Sequence, residues 1–136
     1  MTQSNGFDSA SYHAQIQKQG YLLSPKTAEK WSKAVLRTLS LNIDRRTKKA
    51  LANSLPDELA ADLTRTFWLL HFRDRNKSRA EFLEEVAKRS GNTDPGFAGN
   101  PTKAVFHELK ALAGDKVSND VSEALAPELS QLWEEA

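Results

Sequence analysis

The feature that most constrains the fold is an internal repeat at an offset of 70 residues. When the sequence is shifted by that length, Lys33-Ala34-Val35 falls on Lys103-Ala104-Val105 without a gap. Further matches pair Leu39 with Leu109, Leu55 with Leu125, Leu59 with Leu129 and Ile16 with Val86. These pairs keep their apolar character, which indicates one supersecondary unit built twice. A half of this size alone would bury a smaller share of its surface and be marginally stable, so we expect the two units to share one core.

Within each unit, apolar residues recur at spacings of three and four, which is the period of an α-helix. The segment after Ser24-Pro25 begins with an N-cap and a proline that suit a helix start. Its stripe comprises Ala28, Trp31, Val35, Leu36, Leu39 and Ile43. Ser78 with Glu81 has the spacing of a capping box. No segment alternates with period two over enough residues to predict a strand.

The pattern therefore predicts an all-α fold made of two tandem four-helix units packed as one compact helical bundle. We expect a flexible N-terminus at 1–8, a first helical repeat at 9–72, a linker at 73–78 and a second helical repeat at 79–136. The main loop of the second unit is predicted at 91–100, with Pro101 opening the helix that follows it.

Composition limits the location and the chemistry of this chain of 136 residues. It has no cysteine, which excludes disulfides and every zinc site that needs thiolates. Its first residues lack the basic and apolar segments of a secretory signal, and its longest apolar run, 67–70, is too short to span a membrane. We therefore expect a cytoplasmic protein that does not contact a membrane.

Two short motifs carry a resemblance to a known family. Lys-Ala-Val-x-x-x-Leu occurs at 33–39 and at 103–109, Leu-Pro-x-Glu-Leu at 55–59, and Leu-x-Pro-Glu-Leu at 125–129. In this pattern the chain resembles a bacterial family of two-repeat, all-helical proteins that is classed as a domain of unknown function. The resemblance implies a helical fold and a bacterial cytoplasmic origin, and it implies no catalytic or ligand-binding residues.

No residue pattern in the sequence predicts catalysis. His13, His71 and His107 are far apart and lack the spacing of helical metal ligands, so we expect no metal site. The segment 91–99 is glycine-rich, but it lacks the lysine of a phosphate-binding loop and no Gly-x-Ser-x-Gly elbow occurs. We expect no catalytic residue, no cofactor and no enzymatic activity.

Two basic clusters are candidate phosphate contacts, because binding to a nucleic-acid backbone needs several cations on one surface. The first consists of Arg45, Arg46, Lys48 and Lys49, and the second of Arg73, Arg75, Lys77 and Arg79. A solvated charged face would have the same composition, and both interpretations remain open.

Trp68 and Phe72 form a candidate partner surface. They lie four residues apart at the end of the first unit, in a segment that has no counterpart in the second, and they face away from the Phe67 and Leu70 stripe. Either the second unit packs over them or they contact a partner. The favoured hypothesis is a non-catalytic protein-protein interaction module that binds another protein or a second copy of itself. A nucleic-acid-associated protein using the two basic clusters is the alternative.

Overall fold

A computed structural model describes residues 7–65, 78–91 and 93–136, and over these ranges the chain contains eight α-helices and no strand. The predicted all-α fold is confirmed. The elements are α1 (Ser9–Gln19), α2 (Pro25–Ser40), α3 (Arg45–Ser54), α4 (Asp57–Thr64), α5 (Arg79–Arg89), a 3-10 turn (Pro95–Phe97), α6 (Gly99–Ala113), α7 (Asp115–Ala124) and α8 (Pro127–Glu135).

Polar side chains at several helix starts explain where those helices begin, because the first backbone N–H groups of a helix need outside acceptors. Asp44 accepts from the Thr47 N–H at 3.3 Å to start α3, and Ser24 accepts from the Thr27 N–H at 3.1 Å to start α2. Ser78 accepts from the Glu81 N–H at 3.1 Å while the Glu81 carboxylate accepts from the Ser78 N–H at 2.9 Å. This is the predicted capping box.

The helices of the two halves pack against each other around one continuous core. Helix α1 packs on α2 and α6, α2 packs on α4, α5 and α6, and α3 packs on α4 and α7. The buried apolar side chains of all these helices form a single cluster. The two halves are therefore one folded body, which agrees with the predicted compact bundle.

Several helices of the second half begin 70 residues after a helix of the first half. This holds for α1 and α5, for α3 and α7, and for α4 and α8. The repeat itself remains a prediction, and this correspondence of helix starts supports it.

The start of α6 differs from the sequence-based expectation. The helix begins at Gly99, two residues before Pro101, and the predicted loop contains the 3-10 turn. Proline is tolerated here because the first four N–H groups of a helix have no intrahelical acceptor, so the missing N–H of Pro101 breaks no hydrogen bond.

The last helix is fixed by Trp133, which is fully buried. Its indole N–H donates to the Ser118 carbonyl oxygen at 3.0 Å, and its ring lies edge-on to Phe106 with centroids 4.9 Å apart. Because these contacts join α8 to α6 and α7, a single side chain holds three helices together.

Candidate interaction surface

The large apolar side chains that stay exposed in the described part of the chain are Tyr21, Leu23 and Phe97, at 81%, 96% and 69% exposure. None of them was a candidate site residue in the sequence. All three lie on loops between helices. We call the surface formed by residues 20–24 and 94–98 the loop end.

The backbone at the end of α1 explains why Tyr21 points outward. The Leu22 N–H donates to the Gln17 carbonyl oxygen at 2.9 Å, and the Gly20 N–H donates to the Ile16 carbonyl oxygen at 2.8 Å. Between them Tyr21 takes a left-handed conformation with φ of 57°. This conformation is usual for glycine at a helix C-terminus and costs a non-glycine residue about 1–2 kcal/mol.

Gly20 does not take the left-handed position because its lack of a side chain is needed elsewhere. Its φ is −89°, and an added Cβ would lie 2.9 Å from the Ile16 carbonyl oxygen and 3.2 Å from Pro101 Cα. Only glycine lets the chain approach α6 this closely, so the strained conformation falls on the next residue.

The second loop is held beside the first by the same contact. Pro101, which faces Gly20, belongs to the first turn of α6, and the 3-10 turn that carries Phe97 immediately precedes that helix. The Asp94 carboxylate accepts from the Gly96 N–H at 2.9 Å and so fixes the turn. Both loops therefore lead into the contact between Gly20 and Pro101, one from α1 and the other into α6.

The structure also describes the first basic cluster. Arg45, Arg46 and Lys49 are exposed on α3, and Lys48 is half-buried. Burial, together with the nearby charge of Arg45, lowers the pKa of Lys48 below its usual range.

Arg46 lines an open groove of about 610 Å³ between α3 and α7, which extends to the turn before α8. Asp44, Asp120 and Glu123 line the same groove, together with Lys116. A phosphate bound there would meet carboxylates as well as cations, so the groove does not select anions by charge.

Of the second basic cluster, only Arg79 lies within the described residues. Its guanidinium donates to both Glu135 carboxylate oxygens, at 3.3 and 3.0 Å, and its backbone N–H donates to Glu128 at 2.8 Å. Hydrogen bonds from Arg79 and Lys103 lower the pKa of Glu135. Arg79 thus ties the start of α5 to α8. Arg73, Arg75 and Lys77 lie outside the described residues, as do Trp68 and Phe72.

A second cavity of about 590 Å³ lies between the start of α1 and the turn that joins α3 to α4. Its walls include Phe7, Tyr12, Pro56 and Glu108. Burial holds the pKa of Tyr12 well above its usual range, and its hydroxyl shares a hydrogen bond of 2.7 Å with Ser32. The tyrosine is therefore a neutral wall of this cavity.

Two further searches of the described residues found nothing. No group of three or more His, Cys, Asp or Glu side chains there could hold a metal ion. No helix in the same residues is long and apolar enough to cross a membrane.

A signal for the loop end was present in the sequence. Tyr21, Leu22 and Leu23 form an apolar triplet between Gly20 and Ser24-Pro25, where a polar loop would be usual. Leu22 packs against the core, and its two neighbours point away from it. Phe97 gave less of a signal, because a single aromatic residue in a loop is common.

Fold and surface together define the class of the protein, which is an all-helical bundle with an exposed apolar end. The chain belongs to a family of uncharacterized conserved proteins, DUF2267, whose family model matches residues 11–132. The resemblance drawn from the sequence is thereby confirmed as membership of a domain family of unknown function. No curated protein matches the chain.

Proposed function

We propose that this protein is a non-catalytic interaction module that binds a protein partner through its loop end. The observation that carries the proposal is the exposure of Tyr21, Leu23 and Phe97 on two loops that flank the contact between Gly20 and Pro101. Single exposed apolar residues are normal on protein surfaces, but large ones grouped together mark contact sites. Aromatic side chains are also the residues that most often dominate binding energy.

The strain at Tyr21 supports the same proposal. A left-handed backbone is tolerated by tyrosine only at a cost, and its ring, at 81% exposure, gains little packing in return. Folding alone would favour glycine at this position. Strained residues that the fold does not need are typical of functional surfaces.

The test is affinity purification of the tagged protein from lysate of the native host, with and without nuclease. We expect a protein partner that survives nuclease and is lost from the variant Leu23→Ser, Phe97→Ser. Arg45→Gln, Arg46→Gln is the matched control, because it also changes two exposed residues and lies on another surface. Equal recovery by the wild type and the loop variant would contradict the proposal.

The alternative is a nucleic-acid-associated protein, and one observation favours it. Arg45, Arg46 and Lys48 lie in the first turn of α3, where the helix dipole disfavours cations. Cations at a position where they lower the stability of the helix are consistent with a surface that binds phosphate groups. Binding to a nucleic acid through α3 would weaken steeply with salt and would be lost in the Arg45→Gln, Arg46→Gln variant. The second predicted surface, Trp68 and Phe72, also stays a prediction.

A further inference from the structure

The loop end carries positive charge around its apolar side chains. The segments 17–30 and 88–101 contain five cations and two acidic residues, namely Lys18, Lys26, Lys30, Lys88, Arg89, Glu29 and Asp94. The four lysines are exposed. Glu29 pairs with Lys33 at 3.4 Å and Arg89 pairs with Glu85 at 3.4 Å, so neither changes the balance of this surface, and Asp94 fixes the 3-10 turn.

Lys30, on α2, places its positive charge beside the loop that follows α5. The Lys30 ammonium nitrogen lies 3.6 Å from the position that a Cβ would take at Gly91, so it reaches the chain that leads to the 3-10 turn. Lys18 and Lys26 flank Tyr21 and Leu23 in the sequence on the last turn of α1 and the first turn of α2. Tyr21 and Leu23 are thus flanked by ammonium groups.

The exposed apolar side chains protrude from the surface. Neither of the two cavities described above includes Tyr21, Leu23 or Phe97 in its walls. A contact through them therefore needs a partner that supplies the pocket, with this chain supplying the side chains that fill it.

We infer that the loop end docks into an apolar pocket whose rim carries aspartate and glutamate, on a protein other than a second copy of this chain. The inference rests on the proposed function and adds the chemistry of the partner. Lysines around the apolar centre match carboxylates around the pocket, which speeds association and excludes partners of like charge. A two-fold contact between two loop ends would oppose lysines to lysines, so a symmetric dimer through this surface is disfavoured.

The fixed backbone that carries these side chains favours a protein over a lipid or a nucleic acid. Hydrogen bonds at the end of α1 hold the backbone at Tyr21, and the Asp94 carboxylate holds the turn at Phe97. Such preorganisation lowers the entropic cost of entering a pocket of defined shape, whereas a fluid bilayer gains nothing from it. Leu23, the most exposed of the three, has no ring on which a base could stack.

The test is photo-crosslinking in cells of the native host from p-benzoylphenylalanine introduced in place of Tyr21. The same residue in place of Gln131, which is exposed on α8, serves as the control position. Mass spectrometry of the crosslinked peptides identifies the partner segment that touches the loop end. We expect a crosslink that is specific to position 21 and a partner segment rich in Asp and Glu.

The lysines are tested with the full-length protein in the same cells. The variant Lys18→Gln, Lys26→Gln, Lys30→Gln should lower crosslink yield about tenfold, because the modest effects of three exposed charges on association add together. The variant Lys18→Arg, Lys26→Arg, Lys30→Arg should keep it. Because all three lysines are exposed, both variants should melt at the wild-type temperature.

The outcomes separate the inference from the proposed function. A crosslink from position 21 to a neutral or basic segment overturns the inference of an acidic partner, and so does a crosslink yield that the lysine variants do not change. Neither result contradicts the proposed interaction module. A crosslink to lipid, to a second copy of this chain or to nuclease-sensitive material also overturns it. No crosslink above that of the control position overturns the proposed function itself.

Discussion

At the end of α1, the close contact with another helix and the left-handed backbone conformation fall on two successive residues, Gly20 and Tyr21. Gly20 provides the close approach to Pro101, and Tyr21 provides the left-handed turn. We expect Tyr21→Gly to raise the free energy of unfolding by about 1 kcal/mol, because glycine adopts this conformation without strain.

Gly20→Ala should lower the free energy of unfolding by about 1–3 kcal/mol, because its Cβ would press on backbone atoms. Urea denaturation checks both, and a Tyr21→Gly variant less stable than the wild type would contradict the account.

Asp62 lies in an environment that disfavours the ionised form of its carboxyl group. It is 7% exposed on α4, and burial raises the pKa of its carboxyl above its ordinary value of 3.8, although Lys33, Arg65 and Arg37 oppose the shift. Because the folded protein holds this proton more tightly than the unfolded chain, the ionised carboxylate costs stability at neutral pH. The cost disappears as the pH falls through the raised pKa toward 3.8.

The variant Asp62→Asn should therefore melt at a higher temperature than the wild type at pH 7, and the difference should shrink as the pH approaches 4. Thermal unfolding followed by circular dichroism over pH 4–8 measures it. If Asp62→Asn melts lower than the wild type at pH 7, attraction to the neighbouring cations outweighs burial.

At the scale of single helices, most starts could be predicted, because caps and prolines act locally. The capping box of α5 and the Ser24 cap of α2 were both visible in the sequence and both formed. The early start of α6 was missed, since the sequence does not reveal that the missing N–H of Pro101 falls in the first turn, where no intrahelical acceptor is lost. The loop end was missed because the left-handed Tyr21 depends on the contact of Gly20 with another helix.

The cap of α5 offers a direct test at this scale. Ser78→Ala removes the acceptor for the Glu81 N–H and should lower the free energy of unfolding by about 1 kcal/mol. Ser78→Asp keeps an acceptor at the N-cap and should remain close to the wild type. Equal losses in the two variants, measured by urea denaturation, would show that the hydrogen bond is not what Ser78 contributes.

The whole molecule should unfold as one unit, because α1 and α2 pack on α6 and α3 packs on α7. Transitions followed by far-ultraviolet circular dichroism and by tryptophan fluorescence should coincide. Trp133→Phe should lower the free energy of unfolding by about 2–3 kcal/mol, because it removes the indole hydrogen bond to the Ser118 carbonyl oxygen and opens a cavity. Two separate transitions would contradict a single core.

At the same scale, the sequence predicted the class of fold but not the surface that we propose to be functional. The helical spacing of apolar residues and the 70-residue repeat both reflect packing in the core. They therefore indicated which residues are buried, including Val35, Leu39 and Leu109. The position of the loop end depends on how α1 meets α6, and that contact joins residues far apart in the chain. Trp68 and Phe72, the candidate partner surface in the sequence, lie outside the described residues.

The most direct test of the loop end is nuclear magnetic resonance of the ¹⁵N-labelled protein titrated with the purified partner. The account predicts that the amide signals of Tyr21, Leu23 and Phe97 shift or broaden at stoichiometric partner, and that those of Arg45 and Lys49 do not. Shifts confined to α3, with residues 20–24 and 94–98 unchanged, would contradict it.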